Sequence, residues 1–205
     1  MASSLLTDLE RYYKLDETSG TTVNDETDNY DATNSVATVN QTGKIDKCYL
    51  FDGGLQDTID ISLITPANGS ISLWVKFSTL SGLHNIASSG TSALSIMRFG
   101  HSTTNPYFGF YDGSAINILD TDTTLAVDTW YHFVATWGAD GMKFYINATT
   151  PETNAYTGNG AGDQAMYLGN ISQYHNGSLD GYVDEIGYWS KQYPISSTYP
   201  SKEPL

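Results

Sequence analysis

Apolar and polar residues alternate with a two-residue period over Ile71-Ser72-Leu73-Trp74-Val75-Lys76-Phe77, the period of a β-strand with one buried face. The phase turns Ile71, Leu73, Val75 and Phe77 toward a core and Ser72, Trp74 and Lys76 away from it. Further strand-like runs are Tyr107-Phe108-Gly109-Phe110-Tyr111, Tyr131 to Trp137, Met142 to Ile146 and Tyr182 to Trp189. Gly-Ala-Asp-Gly at 138–141 predicts a hairpin turn, and Asp112-Gly113 and Asn176-Gly177 mark two more turns. No stretch of ten or more residues keeps a helical period; the best short helical candidate is Ser4 to Lys14. Regularly spaced strands without crossover helices predict an all-β antiparallel sandwich or barrel. Its core is expected to hold Phe51, Leu73, Val75, Phe133, Trp137 and Phe144.

A chain of 205 residues suits one large sandwich better than two small domains. Charged residues are few, yet 23 acids face 9 bases for a net charge of −14. Phosphate recognition needs clustered cations, so nucleic acid is excluded as a partner, and an anionic membrane surface is disfavoured. No run reaches transmembrane length, so no membrane insertion is expected. Cys48 is the one cysteine and lies in the apolar run Cys48-Tyr49-Leu50-Phe51, which predicts a buried thiol and no internal disulfide. The N-terminal residues show no charged n-region and no long apolar core, so no signal peptide is visible. Release by cell lysis, as for a phage virion protein, reconciles that with an extracellular or virion-surface location.

Five segments, in order, carry a family resemblance. They are Tyr13 to Gly20 followed by Asp25; Phe51-Asp52-Gly53-Gly54 leading to Ile59-Asp60-Ile61; Gly69 to Lys76 with its central Trp74; Trp130 to Ala135 through Tyr145-Ile146-Asn147; and Gly177 to Ile186. The order resembles the laminin-G-like, concanavalin A-like lectin/glucanase family. That resemblance implies a jelly-roll sandwich over residues 12–190, with a 1–11 extension and a proline-bearing tail at 191–205. It also implies one structural Ca²⁺, held by Asp184, the Gly53 carbonyl, and Asp16 or Asp25 from the opening segment; hard cations take such oxygen sets.

The family includes hydrolases, but none of the six Glu residues opens the Glu-x-Asp-x-x-Glu motif of its glycosidases. Asp184 and Glu185 are adjacent, so on a regular strand they would point to opposite faces. No Gly-x-Ser-x-Gly elbow or His-Glu-x-x-His pattern occurs. A hydrolase is therefore disfavoured. The strand phase turns Trp74, Tyr107, Tyr111 and His132 outward, where aromatic rings stack on sugars. For Trp74 a covering loop or second subunit competes with that role; Tyr107 and Tyr111 are the expected sugar platform. The sequence thus points to a non-catalytic module displayed on a surface, such as a phage virion, and binding a glycan or a surface protein. The rival is a structural subunit, capsid decoration or fibre, assembled as a homo-oligomer or with other virion proteins.

Overall fold

The computed structural model describes residues 6–54, 57–89, 97–102, 105–160, 165–169 and 177–193, with the side chains of 62–64 set aside. The strands in chain order are β1 Leu9–Tyr13, β2 Thr22–Val23, β3 Ala32–Asn34, β4 Thr38–Thr42, β5 Lys47–Asp52 and β6 Thr58–Ile64. Then come β7 Gly69–Phe77, β8 His84–Ser89, β9 Met97–His101, β10 Pro106–Tyr111 and β11 Ile116–Asp120. The last are β12 Trp130–Trp137, β13 Met142–Ile146, β14 Glu152–Asn154, β15 Ala165–Gly169 and β16 Asp180–Trp189. No helix occurs among the described residues.

The strands form two eight-stranded sheets. Sheet A runs β14-β13-β12-β7-β16-β5-β4, with β1 also paired to β16; sheet B runs β11-β10-β9-β8-β15-β6-β3-β2. Every strand pair is antiparallel, so this is the expected antiparallel β-sandwich. The alternation in β7 resolves as expected, with Ile71, Leu73, Val75 and Phe77 fully buried. They meet the inner face of sheet B, where Phe99, Phe108 and Phe110 pack with Phe133, Phe144 and Trp137 at ring separations of 5.3 to 5.9 Å. All six residues expected in the core lie there. Rings of this size dominate core energetics, each large-to-Ala change costing about 3–5 kcal/mol.

The turn at 138–141 joins β12 to β13, with the Gly141 N–H donating to the Gly138 carbonyl at 3.0 Å. Gly141 has φ +79°, and a Cβ there would strike the Asn154 carbonyl oxygen at 2.4 Å, so glycine is required twice over.

Two sequence expectations are corrected at the chain ends. The helical candidate Ser4 to Lys14 contains strand β1, whose Leu9 pairs with Trp189 and Tyr13 with Ile186. Pairing with a long, apolar partner strand outweighs local propensity there. The sandwich accordingly begins before residue 12. It also extends past residue 190, because Tyr193 is buried and its hydroxyl donates to the Thr7 carbonyl. The tail from 194 lies outside the described residues.

Candidate functional site

The outer face of sheet A is built by the residues of β7, β12 and β16 that alternate with the core. In one cross-strand row Trp130 sits opposite Lys76, which sits opposite Tyr182. In the next, His132 faces Trp74 and Trp74 faces Asp184. Lys76 Nζ lies 4.0 Å from the Tyr182 ring centroid and 5.2 Å from that of Trp130, so the ammonium is held between two π-faces. The Trp74 and His132 rings are 4.9 Å apart, and Lys44 Nζ, from the turn between β4 and β5, lies 4.6 Å from the Trp74 centroid. His132 Nε2 is 2.8 Å from Ser72 Oγ, and burial pushes its imidazole down to about 4. Near pH 7 the ring is therefore neutral. Trp74, Lys76, Trp130, His132 and Tyr182 are all half-buried, while Lys44 is exposed. The face presents apolar ring surface beside hydrogen-bond donors, the composition of a sugar-stacking surface.

Trp74 and His132 are thus brought together, while Tyr107 and Tyr111 lie on the opposite sheet. Tyr107 does point to the outer face of sheet B, but it is only 3% exposed, and its hydroxyl donates to Asn85 Oδ1 at 2.7 Å. The expected exposed platform is corrected at this residue: the ring is walled in because its hydroxyl satisfies a buried amide. Tyr111 is half-buried and donates to the Gly113 carbonyl at 2.9 Å. Trp130 and Tyr182 were missed by sequence reasoning, and Lys76 was placed outward without a role, although the parity already available for Trp74 and His132 carries all three.

The acids are arranged differently from the regular strand expected. The register of β16 shifts between Asp184 and Gly187, and Glu185 there has φ +54°. The extra residue is a β-bulge. It sends both carboxylates to the outer face of sheet A: Asp184 opposite Trp74, and Glu185 to the hydroxyl of Tyr12. The expectation of opposite faces is overturned. Asp184 has 0% exposure; its Oδ2 accepts the Lys44 and Ile45 N–H groups at 2.7 and 2.9 Å, while Oδ1 is buried without a partner. Burial, with the charges of Glu185 and Asp16 adding to it, pushes its carboxyl up to about 7 against the two amide hydrogen bonds.

Of the calcium set implied by the resemblance, Asp16 lies close enough to Asp184 for its charge to act there, but Asp25 and Gly53 are committed elsewhere. Asp25 is taken up by the N–H groups of Tyr12, Thr27 and Tyr30 and by the Thr27 hydroxyl. Asp16 Oδ1 accepts the Lys47 N–H at 2.9 Å. Gly53 lies against Asp180, its N–H donating to the Leu179 carbonyl. Asp184 is four residues further along β16, about 13 Å at strand rise. Among the described residues no group of three or more His, Cys, Asp or Glu side chains is placed to hold a metal ion. The residues present therefore do not fit the implied site. Cys48 is buried, as expected, its thiol pushed up to about 12 by burial.

Comparison with known folds agrees with this architecture. Domain 4 of AbnA, a GH43 extracellular arabinanase from Geobacillus stearothermophilus solved with arabinotriose, superposes with TM-score 0.71 at 18% identity, over 93% of this chain and 95% of that one. The botulinum neurotoxin serotype D ligand-binding domain, in complex with N-acetylneuraminic acid, gives 0.68 at 16% identity; this chain spans 93% of its own length but 49% of that one. Trypanosoma rangeli sialidase in complex with sialic acid gives 0.67 at 13% identity, over 96% of this chain and 33% of that one. At such identities these likenesses speak to the fold alone. A search of curated protein sequences finds no match. No helix among the described residues is long and apolar enough to cross a membrane, which says nothing of membrane β-barrels. A laminin-G-type family profile, described as the concanavalin A-like lectin/glucanases superfamily, matches residues 52–193, which takes in every strand from β6 to β16. The chain belongs to the concanavalin A-like lectin/glucanase superfamily.

Proposed function

We propose that this protein is a non-catalytic glycan-binding module, displayed at a cell or virion surface, whose ligand face is the outer side of sheet A. The observation that carries the reading is the double row Trp130–Lys76–Tyr182 and His132–Trp74, five half-buried side chains on adjacent rows of three strands. A pyranose stacks its C–H face on an indole, and the flanking lysine and imidazole groups meet its hydroxyls. Lys44 lies over Trp74 in the free protein, but its side chain is exposed. A ligand displaces it at the loss of one exposed cation–π contact, about 0.5–1 kcal/mol. The arabinanase domain, solved with a bound oligosaccharide, supports the reading by analogy of fold. A hydrolytic role has little to work with on this face, since Asp184 is fully buried and Glu185 is engaged by Tyr12.

Glycan-array screening followed by calorimetric titration tests the proposal. Trp74→Ala should weaken binding about tenfold or more, as loss of a stacking anchor of at least 1.4 kcal/mol does, while the melting temperature stays near wild type. Absence of any glycan ligand, together with a stable oligomer by light scattering, would instead favour the structural-subunit reading.

A further inference from the structure

Sheet B carries eight strands and, among them, a single Lys or Arg: Arg98, in β9. In a chain with 23 acids, an arginine on a sheet face would be expected to find a carboxylate. Arg98 has none. The ion pairs of the described residues are Arg11–Asp25, Lys14–Glu26 and Lys191–Asp8, and Arg98 Nε is buried without any hydrogen-bond partner. Directly across the ladder on β8 stands Ser88, which has 0% exposure and a hydroxyl that is likewise buried and unpartnered. Opposite pairs of this kind bring their Cβ atoms to about 4.5–5.5 Å, so the two orphans are neighbours.

Their surroundings are shaped as well as polar. On the other side of Arg98 the ladder places Gly109, which brings no side chain. Tyr107, fixed by Asn85, walls one flank. Half-buried Tyr167, opposite Ser88, walls the other. Of the sheet carboxylates, Asp120 opposite Tyr107 stands two strands from Arg98, about 10 Å at the usual strand spacing, and Asp60 opposite Tyr167 stands three strands away, about 14 Å. A guanidinium nitrogen and a serine hydroxyl left unpaired side by side cost the fold, because a buried donor without an acceptor loses its hydration and gains nothing. The guanidinium nitrogen can only donate, and the hydroxyl can donate as well as accept, so one anionic group set between them would meet both.

We infer that Arg98 and Ser88 form an anion site on the outer face of sheet B that takes the carboxylate of an acidic sugar. The guanidinium fork offers two parallel N–H donors to a carboxylate, the long Arg98 side chain turning to admit it, and the Ser88 hydroxyl donates a third hydrogen bond. The sugar ring then lies between the two tyrosine flanks. Only the identity of the carrier rests on the glycan-binding reading; the site itself is on the sheet opposite Trp74.

The test is titration of the whole protein with an oligogalacturonate, its fully methyl-esterified counterpart, and acetate at equal carboxylate concentration, in wild type and in Arg98→Met, Ser88→Ala and Trp74→Ala. The acid oligosaccharide should bind at least about tenfold more tightly than the ester, the discrimination expected when a site's charged donors are left unmet. Arg98→Met should erase that preference without lowering the melting temperature of the free protein. Ser88→Ala should weaken acid binding while leaving the free protein as stable or more so, since it removes an orphan hydroxyl. Trp74→Ala should keep the acid-over-ester preference even if all other glycan binding is lost. Equal binding of acid and ester, an undiminished preference in Arg98→Met, a marked fall in the stability of free Arg98→Met, or acetate binding as tightly as the oligosaccharide would each overturn the proposal.

Discussion

Tyr107 reaches over Gly100, its partner on β9, to place its hydroxyl 2.7 Å from the Asn85 side-chain oxygen on β8. The Asn85 amide nitrogen in turn donates to the Gly177 carbonyl at 3.0 Å. The chain therefore ties β10, β8 and the approach to β16 together through one buried hydroxyl. Burial raises the phenol well above its ordinary range, so it keeps the proton it donates to Asn85. Tyr107→Phe leaves the Asn85 oxygen buried and unmet, and should cost about 1–3 kcal/mol. Tyr107→Ala should cost about 3–5 kcal/mol, because a cavity is added. Chemical denaturation of the two variants checks this. A Tyr107→Phe variant as stable as wild type would show that the hydrogen bond contributes little.

What the sequence made legible follows the period-two rule, and what it hid follows departures from that rule. Ile71 to Phe77 could be assigned to a face residue by residue because β7 itself carries no extra residue and pairs with β12 without a register shift. The rule fails at two bulges. In β8 the register slips between Asn85 and Ala87, so Ile86 and Ala87 both turn inward. In β16 the slip at Glu185 puts two successive acids on one face. Neither leaves a clear sequence signature, since the residues inside the two slips, Ile86 and Glu185, are not glycines. The pairing of Trp74 with His132 was half legible: each was seen to face outward, but their adjacency depends on the register of β7 against β12. Burial of Tyr107 was not legible at all, because parity tells which way a side chain points and not what covers it.

The acids named for calcium each have other partners, which makes a metal experiment informative. Melting curves in chelator and in millimolar Ca²⁺ should coincide, because a ligand that binds the folded state at a hundredfold excess over its dissociation constant would add about 2.7 kcal/mol. A rise of several degrees in calcium, abolished by Asp184→Ala, would restore the site that the resemblance implies.

Acid should act first through the buried histidines. His101 is almost fully enclosed, 5.5 Å from Phe77 and 6.2 Å from His84 by ring centroids. Burial, helped by the His84 charge, pushes its imidazole down to about 4. A folded-state value below that of the unfolded chain, about 6.5, means that the unfolded state binds more protons between those two values. Stability contributed by the neutral ring is present above pH 6.5 and is lost as the pH falls through about 4. His132 adds to the same window. His101→Phe keeps the stacking and removes the titration, so its melting temperature should fall less than that of wild type between pH 6.5 and 4. Parallel curves for the two proteins would show that His101 does not drive acid unfolding.

Asp184 works in the opposite direction. Its carboxyl is pushed up to about 7, above the ordinary aspartate value, so between those values the folded state holds the extra proton. The stability linked to that proton is fully present below about pH 4 and is lost as the pH rises through about 7. The cause is visible in the structure: Oδ2 is satisfied by Lys44 and Ile45, but Oδ1 is enclosed without a donor, so the ionised form buries an unmet charge. Asp184→Asn keeps an oxygen for the two N–H groups and removes the charge. The variant should match wild type near pH 4 and exceed it at pH 8, flattening the decline between about pH 4 and 7. Asp184→Ala should instead lose about 1–3 kcal/mol at both pH values, because the Lys44 and Ile45 amides lose their acceptor. That loss frees the turn that carries Lys44 over Trp74, so a fluorescence change at Trp74 in Asp184→Ala, absent in Asp184→Asn, is expected. An Asp184→Asn profile that still declines between about pH 4 and 7 as steeply as wild type would place the titrating group elsewhere.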